Sequence, residues 1–203
     1  LLKEKLNPDV PRKVGIIGLG TGTIATYGNK GDIFRFYDIN PEVVTMARRD
    51  FTYLKDTEAT IEISLGDARL NLEREPPQQF DVLVIDAFSG DAVPIHLLTK
   101  EAFATYFKHL KPDGVLAVHV TNRFLNLMPV VKTAADSFGK QARLISFEGD
   151  SDRLIFRSNW VVISATNDFF GQPWFKDVAT PIEVRPGFKI WDDNYSSVLA
   201  VLK

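Results

Sequence analysis

The stretch Val14-Gly15-Ile16-Ile17-Gly18-Leu19-Gly20-Thr21-Gly22-Thr23-Ile24-Ala25 limits the choice of fold more than any other part of the chain. An apolar run meets glycines at alternate positions and then passes into a small-residue helical pattern. This order reads as a buried strand, a tight turn and a helix start. Glycine lets the backbone take positive φ and lets a ligand approach the main chain closely. A helix starting there would turn free N–H groups and its positive dipole end into the same space. Such a turn suits a nucleotide-like ligand; the plainer reading is a tight turn and nothing more.

A chain of 203 residues suits one domain, and 45% hydrophobic residues are enough for a substantial core. The formal net charge of -2 argues against a surface given over to nucleic acid. The absence of cysteine excludes disulfides, a thiolate nucleophile and cysteine-ligated metal, and is compatible with a reducing compartment. No apolar run approaches a membrane span and no signal-peptide pattern opens the sequence. Its first residue is Leu, which is compatible with a piece of a longer protein.

Residues 1–12 read as a charged lead-in, and residues 166–203 as a tail packing on a single Rossmann-like domain that spans 1–203. Between them strands and helices alternate. Lys13–Ile17 is the first strand, and a helix begins over Thr21–Tyr27. A second strand, Ile33–Tyr37, ends at Asp38; Asn40 then caps a helix with Pro41 at its first position. Ile61–Ser64 is the third strand, and a short helix near Ala68–Arg74 is broken by Pro76-Pro77. Val82–Ile85 is an unbroken apolar run, as in a strand buried on both faces of a parallel sheet. Thr99 caps a helix whose Phe103, Tyr106, Phe107 and Leu110 share one face. Val115–Val120, a helix around Leu127–Phe138, and strands Ala142–Phe147 and Trp160–Ala165 complete the pattern. The expected fold is a doubly wound α/β sheet, mostly parallel, with one antiparallel strand near the C-terminus.

In such folds ligands bind beyond the C-terminal ends of the strands. The glycine turn, Asp38, Asp67 and Asp86 all fall there. Asp38 follows Gly18 by the spacing usual for a carboxylate that grips ribose hydroxyls, although a solvated strand end explains it too. Asp67 either faces a ligand or caps the helix after it. Asp86 follows four apolar residues and is either buried with partners or presented to a site. A dinucleotide fingerprint would place a third glycine at position 23, where this chain has Thr23. That departure favours an adenosyl ligand without pyrophosphate. Of the histidines, His109 reads as a surface residue in a last helical turn, His96 as a structural hydrogen bonder or pocket residue, and His119 as a strand-end residue that could face the rim. Nothing has metal-ligand spacing, so no metal is expected.

The segments Ile17–Gly22, Phe36–Pro41, Gly66–Arg69 and Val84–Asp91 resemble the spermidine synthase family. Ala92–Thr99, His119–Arg123 and Trp191–Ser196 are similar to bacterial spermidine synthase-like domains often fused to membrane segments. The resemblance implies a class I S-adenosylmethionine-dependent methyltransferase fold. It implies an activity that moves an aminopropyl group from decarboxylated S-adenosylmethionine to a polyamine such as putrescine. By position, Gly18, Gly20, Gly22, Asp38, Ile39, Asp67, Ala68 and Asp86 would bind the cofactor. Asp86 would also orient the attacking amine and take its proton, with Asp91 and Asp192 as further acidic contacts for the polyamine and Asp193 beside them. It further implies a cytoplasmic location, a homodimer and, in a longer chain, tethering to a membrane domain. The familiar members carry a second Asp three residues after the first, then Pro; here those positions are Ser89 and Gly90. Two other functions stay open: a methyltransferase using ordinary S-adenosylmethionine, and a non-catalytic adenosyl-binding domain of a larger membrane protein.

Overall fold

The computed structural model describes residues 10–87 and 94–203. Among the described residues eight strands form, in an α/β arrangement. The chain groups into two compact units: residues to Ala87 with His109–Gly114, and Phe88–Lys108 with Val115–Lys203.

In the first unit, strands β1 (Lys13–Ile17), β2 (Ile33–Asp38), β3 (Thr60–Leu65) and β4 (Phe80–Ile85) run in the order β3-β2-β1-β4. Every neighbouring pair is parallel. Ile16, Ile17, Phe36, Phe80 and Leu83 are buried, as expected of strands covered on both faces. Each such side chain contributes roughly 1.5–3 kcal/mol by leaving water. Helix α1 (Pro41–Asp50) starts where Asn40 accepts from the Glu42 N–H, and carries Arg48 and Arg49 in its last turn, where they complement the dipole. It ends at Phe51, which is extended, and a separate turn of helix, α2 (Tyr53–Asp56), follows. Helix α3 (Ala68–Arg74) follows β3 as expected.

Two expectations need correction here. The element after the glycine turn is a five-residue 3₁₀ helix, Thr23–Tyr27, with no side-chain cap. It is too short to supply the helix dipole that the sequence pattern promised. His109 is fully buried rather than a surface residue. Its Nδ1 accepts from the Gln78 N–H at 3.2 Å, so its Nε2–H donates to the Leu72 carbonyl at 2.8 Å. The ring thereby closes the end of α3 and the Pro76-Pro77 loop that follows it.

In the second unit, helix α4 (Lys100–His109) buries Phe103 and Tyr106, with Phe107 half-buried against Phe138. Strand β5 (Leu110–His119), whose residues to Gly114 belong to the first unit, begins directly after α4 and so starts earlier than the expected Val115. Helix α5 (Met128–Ser137) buries Val130, Val131, Ala134 and Ala135. Strands β6 (Gln141–Phe147), β7 (Ser158–Ser164) and the two-residue β8 (Ala179–Thr180) continue in the order β5-β7-β6-β8. Strand β7 opposes both β5 and β6, as the expected antiparallel strand; β8 adds a short opposed strand that the sequence did not show.

Candidate active site

The parallel register of the first unit aligns the ends of its strands. Ile17 pairs with Tyr37 on one side and Ile85 on the other, and Asp38 pairs with Leu65. The residues just beyond those ends are the glycine turn, Asp38-Ile39, Gly66-Asp67 and Asp86. Alternation of strand and helix therefore gathers at one rim residues that lie up to 68 positions apart, from Gly18 to Asp86.

The glycine turn is shaped by two unlike requirements. Gly18 has φ +98°, and a Cβ there would lie 2.3 Å from the Asp86 carbonyl oxygen. No side chain fits between these two backbones. Gly20 has φ +54°, yet a Cβ there would meet nothing within 4 Å among the described residues. Its α-carbon borders open space, the arrangement that lets a ligand lie against the main chain. Leu19, between them, is buried and its N–H donates to Asp38 Oδ2 at 2.9 Å. The other carboxylate oxygen, Oδ1, accepts from the Asn40 N–H at 2.9 Å. Asp38 is half-buried, and each of its oxygens retains a further acceptor lone pair.

Asp67 caps α3, accepting from the Leu70 N–H at 2.9 Å. Ala68, next in the chain, is buried. Asp86 is half-buried, and its N–H donates to the Ile17 carbonyl at 2.8 Å, continuing the sheet by one bond. Ile39 is 71% exposed, and Leu65 and Leu70 are 53% and 48% exposed. All three sit at the ends of β2 and β3 or in the first turn of α3. Three exposed aliphatic side chains there suit the face of a flat base. Only Ile39 among them was expected; apolar residues flanking Gly66-Asp67 were the signal for the other two.

The same sheet carries a charge network on β2 and β3. Arg35 reaches Glu62 at 2.9 Å and Glu75 at 2.6 Å, while the Tyr37 hydroxyl donates to Glu75 Oε2 at 2.8 Å. Burial opposes the charge on Arg35, but hydrogen bonds to Glu75, Glu62 and Tyr37 outweigh it and raise its pKa. Burial, then the bond to Glu75, pushes the Tyr37 hydroxyl well above the ordinary tyrosine value.

Asp91 falls outside the described residues. Asp192 is in the second unit, in a tight turn closed by two main-chain bonds with Tyr195, and its Oδ1 accepts from the Asn194 N–H at 2.9 Å. Asp193 accepts from the Thr99 hydroxyl at 2.8 Å, and the Trp191 carbonyl accepts from the Lys100 N–H. Trp191 is buried. His96 is exposed; His119 stacks on Trp160 with centroids 4.6 Å apart and lies 2.6 Å from Thr121 Oγ1. Among the described residues no group of three His, Asp or Glu could hold a metal ion, and no helix is long and apolar enough to cross a membrane.

No known family model matches the chain. A polyamine aminopropyltransferase of Vibrio vulnificus is 32% identical over 54% of this chain and 38% of its own length. An N-terminal histidine N-methyltransferase of Emericella nidulans is 33% identical over 51% of this chain and 19% of its own. The chain thus spans well under half the length of these relatives. Among solved structures, human methyltransferase-like protein 13 in complex with SAH superposes with a TM-score of 0.63, 16% identity, and 80% and 77% of the two chains covered. A spermidine synthase in complex with the transition-state analogue AdoDATO gives 0.58, 19%, and 76% and 55%. The fold is therefore that of the class I S-adenosylmethionine-dependent methyltransferases. About half of the chain is similar in sequence to polyamine aminopropyltransferases.

Proposed function

We propose that the rim of the first unit binds a sulfonium adenosyl nucleoside and that the protein transfers an aminopropyl group from decarboxylated S-adenosylmethionine to a polyamine. The observation that carries this reading is the convergence of Gly20's open backbone, Asp38, the Asp67 turn and Asp86 on one set of parallel strand ends. The residues fit the ligand. Gly20 leaves room at the main chain, Asp38 keeps acceptor capacity for ribose hydroxyls, and Ile39, Leu65 and Leu70 offer an apolar surface for adenine. Asp67 is engaged as a helix cap, so contact with the adenine edge falls chiefly to the main chain of Ala68 beside it.

The nucleoside would bring a carbon activated by the adjacent sulfonium. The protein's part is to hold an amine in line with that carbon and keep it unprotonated. Asp86 suits this role, being a carboxylate at a strand end, next to the turn that would carry the nucleoside. A polyamine is a string of cations, and the acids at 38, 67 and 86 suit it electrostatically. Putrescine as acceptor, Asp91 and Asp192 as further contacts, a homodimer, a cytoplasmic location and tethering to a membrane domain follow from the family likeness and belong to this proposal.

The test is incubation with decarboxylated S-adenosylmethionine and putrescine, following methylthioadenosine. Product above background is expected; none, in the full-length protein, overturns the activity. Similarity to a histidine N-methyltransferase over half the chain favours a second reading, methyl transfer from ordinary S-adenosylmethionine. Calorimetry separates the two, because an aminopropyltransferase should bind the decarboxylated nucleoside more tightly. Binding with no turnover of any amine would instead support a sensing domain.

A further inference from the structure

Asp38 makes three contacts that no ligand is needed to explain. Its Oδ2 accepts from the Leu19 N–H and its Oδ1 from the Asn40 N–H, each at 2.9 Å. Its main-chain carbonyl accepts from the Gly66 N–H, also at 2.9 Å. One residue thus ties the glycine turn, the start of α1 and the turn between β3 and α3. The glycine turn is the part most in need of a tie. Gly18, Gly20 and Gly22 all have positive φ, and glycine loses more freedom on ordering than any other residue. The 3₁₀ helix that follows has no side-chain cap. Leu19 is the hub of the turn: its carbonyl accepts from the Gly22 N–H at 2.9 Å while its own N–H is held by Asp38.

We propose that Asp38 is a positioning residue for the glycine turn in addition to any grip on ribose, so that its carboxylate sets affinity even for nucleosides that lack the 2′ and 3′ hydroxyls. This rests on the adenosyl reading of the site. Hydrogen bonds to an ionised acceptor are about twice as strong as neutral ones. A turn ordered before binding also spares the ligand the entropic cost of ordering it. In Asp38→Asn the side chain offers one carbonyl oxygen and one NH₂. One of the two N–H groups, at Leu19 or Asn40, then faces a donor.

The experiment compares the unaltered protein with Asp38→Asn by calorimetry, using adenosine and 2′,3′-dideoxyadenosine, and by amide hydrogen exchange in the ligand-free state. The variant should bind both nucleosides more weakly, the dideoxy compound by about tenfold, a change calorimetry resolves. Exchange at Leu19 or Asn40 should accelerate. A loss confined to adenosine, with dideoxyadenosine bound as before, overturns the proposal. Should the variant not fold, the unaltered protein decides: slow exchange at Leu19 supports the tie, and exchange at the rate of an unstructured amide overturns it. Binding of neither nucleoside by the unaltered protein overturns the adenosyl reading and the affinity claim together, whereas exchange at Leu19 judges the tie alone.

Discussion

The two units use acidic residues in opposite ways. In the first, Asp38, Asp67 and Asp86 stand at or just after the ends of three parallel strands, and the first two organise the turns there. Asp38 holds Leu19 and Asn40, and Asp67 caps α3. In the second, Asp192 closes its own turn and Asp193 fastens the tail to the first turn of α4 through Thr99. Parallel strands must return by crossovers, so all their turns at one end face the same side. Antiparallel strands send successive turns to alternate ends. Acids at the ends of parallel strands are therefore gathered, whereas in the second unit Asp192 closes a local turn and Asp193 fastens two segments 94 residues apart.

The sharpest way to break this contrast is Asp86→Asn. It should lower methylthioadenosine formation by about 10²–10⁴-fold, as loss of a base does, with nucleoside binding by calorimetry largely kept; unchanged turnover would remove Asp86 from its role. Next come the glycines. Gly18→Ala places a methyl against the Asp86 carbonyl and should destabilise by about 3 kcal/mol or more in urea titration, as overpacking adds to positive-φ strain. Gly20→Ala meets open space and should cost only about 1–2 kcal/mol from its φ. Equal losses would contradict the assignment of Gly20 to the ligand side.

A smaller effect is expected at alkaline pH. Because burial holds the Tyr37 hydroxyl above its ordinary value of 10.0, the unfolded chain releases that proton first. Stability should be flat below about pH 10 and fall as pH rises beyond it, by up to about 1.4 kcal/mol per pH unit for one such group. Tyr37→Phe should flatten that slope. In the second unit, Asp193→Ala removes the Thr99 bond and should cost about 1 kcal/mol, with no loss of nucleoside affinity. Phe156, 87% exposed at the β6–β7 hairpin, should tolerate Ser within about 0.5 kcal/mol by thermal melting.

Much of the rim was legible because its signals are local. Asn40-Pro41 announces a helix start by cap and ring chemistry alone, and the structure shows the Asn40 side chain accepting from Glu42. Four apolar residues before Asp86 announce a buried parallel strand. What escaped was set by distant partners. His109 looks exposed from its own helix; its burial comes from Leu72 and Gln78, 37 and 31 residues away. The helix after Gly22 ends at Tyr27, before Gly28, but it starts only at Thr23 and winds as a 3₁₀ helix, which its sequence did not announce. Asp67 was open between two roles, and the cap took one of its oxygens. The amine half of the site was illegible for a different reason: its expected second acid is replaced by Ser89-Gly90, and Asp91 lies outside the described residues.

The ion pair between Arg35 and Glu62 has a consequence beyond the rim. Strand β3 is outermost in the described order of the first unit, and an outermost strand offers its main chain to any other extended segment. Glu62 lies in the middle of it, its side chain 38% exposed and fixed by Arg35 at 2.9 Å. A visiting strand would have to bring that carboxylate out of water. The ion pair that braces β2 against β3 thus also sets a charge against edge-to-edge pairing at β3.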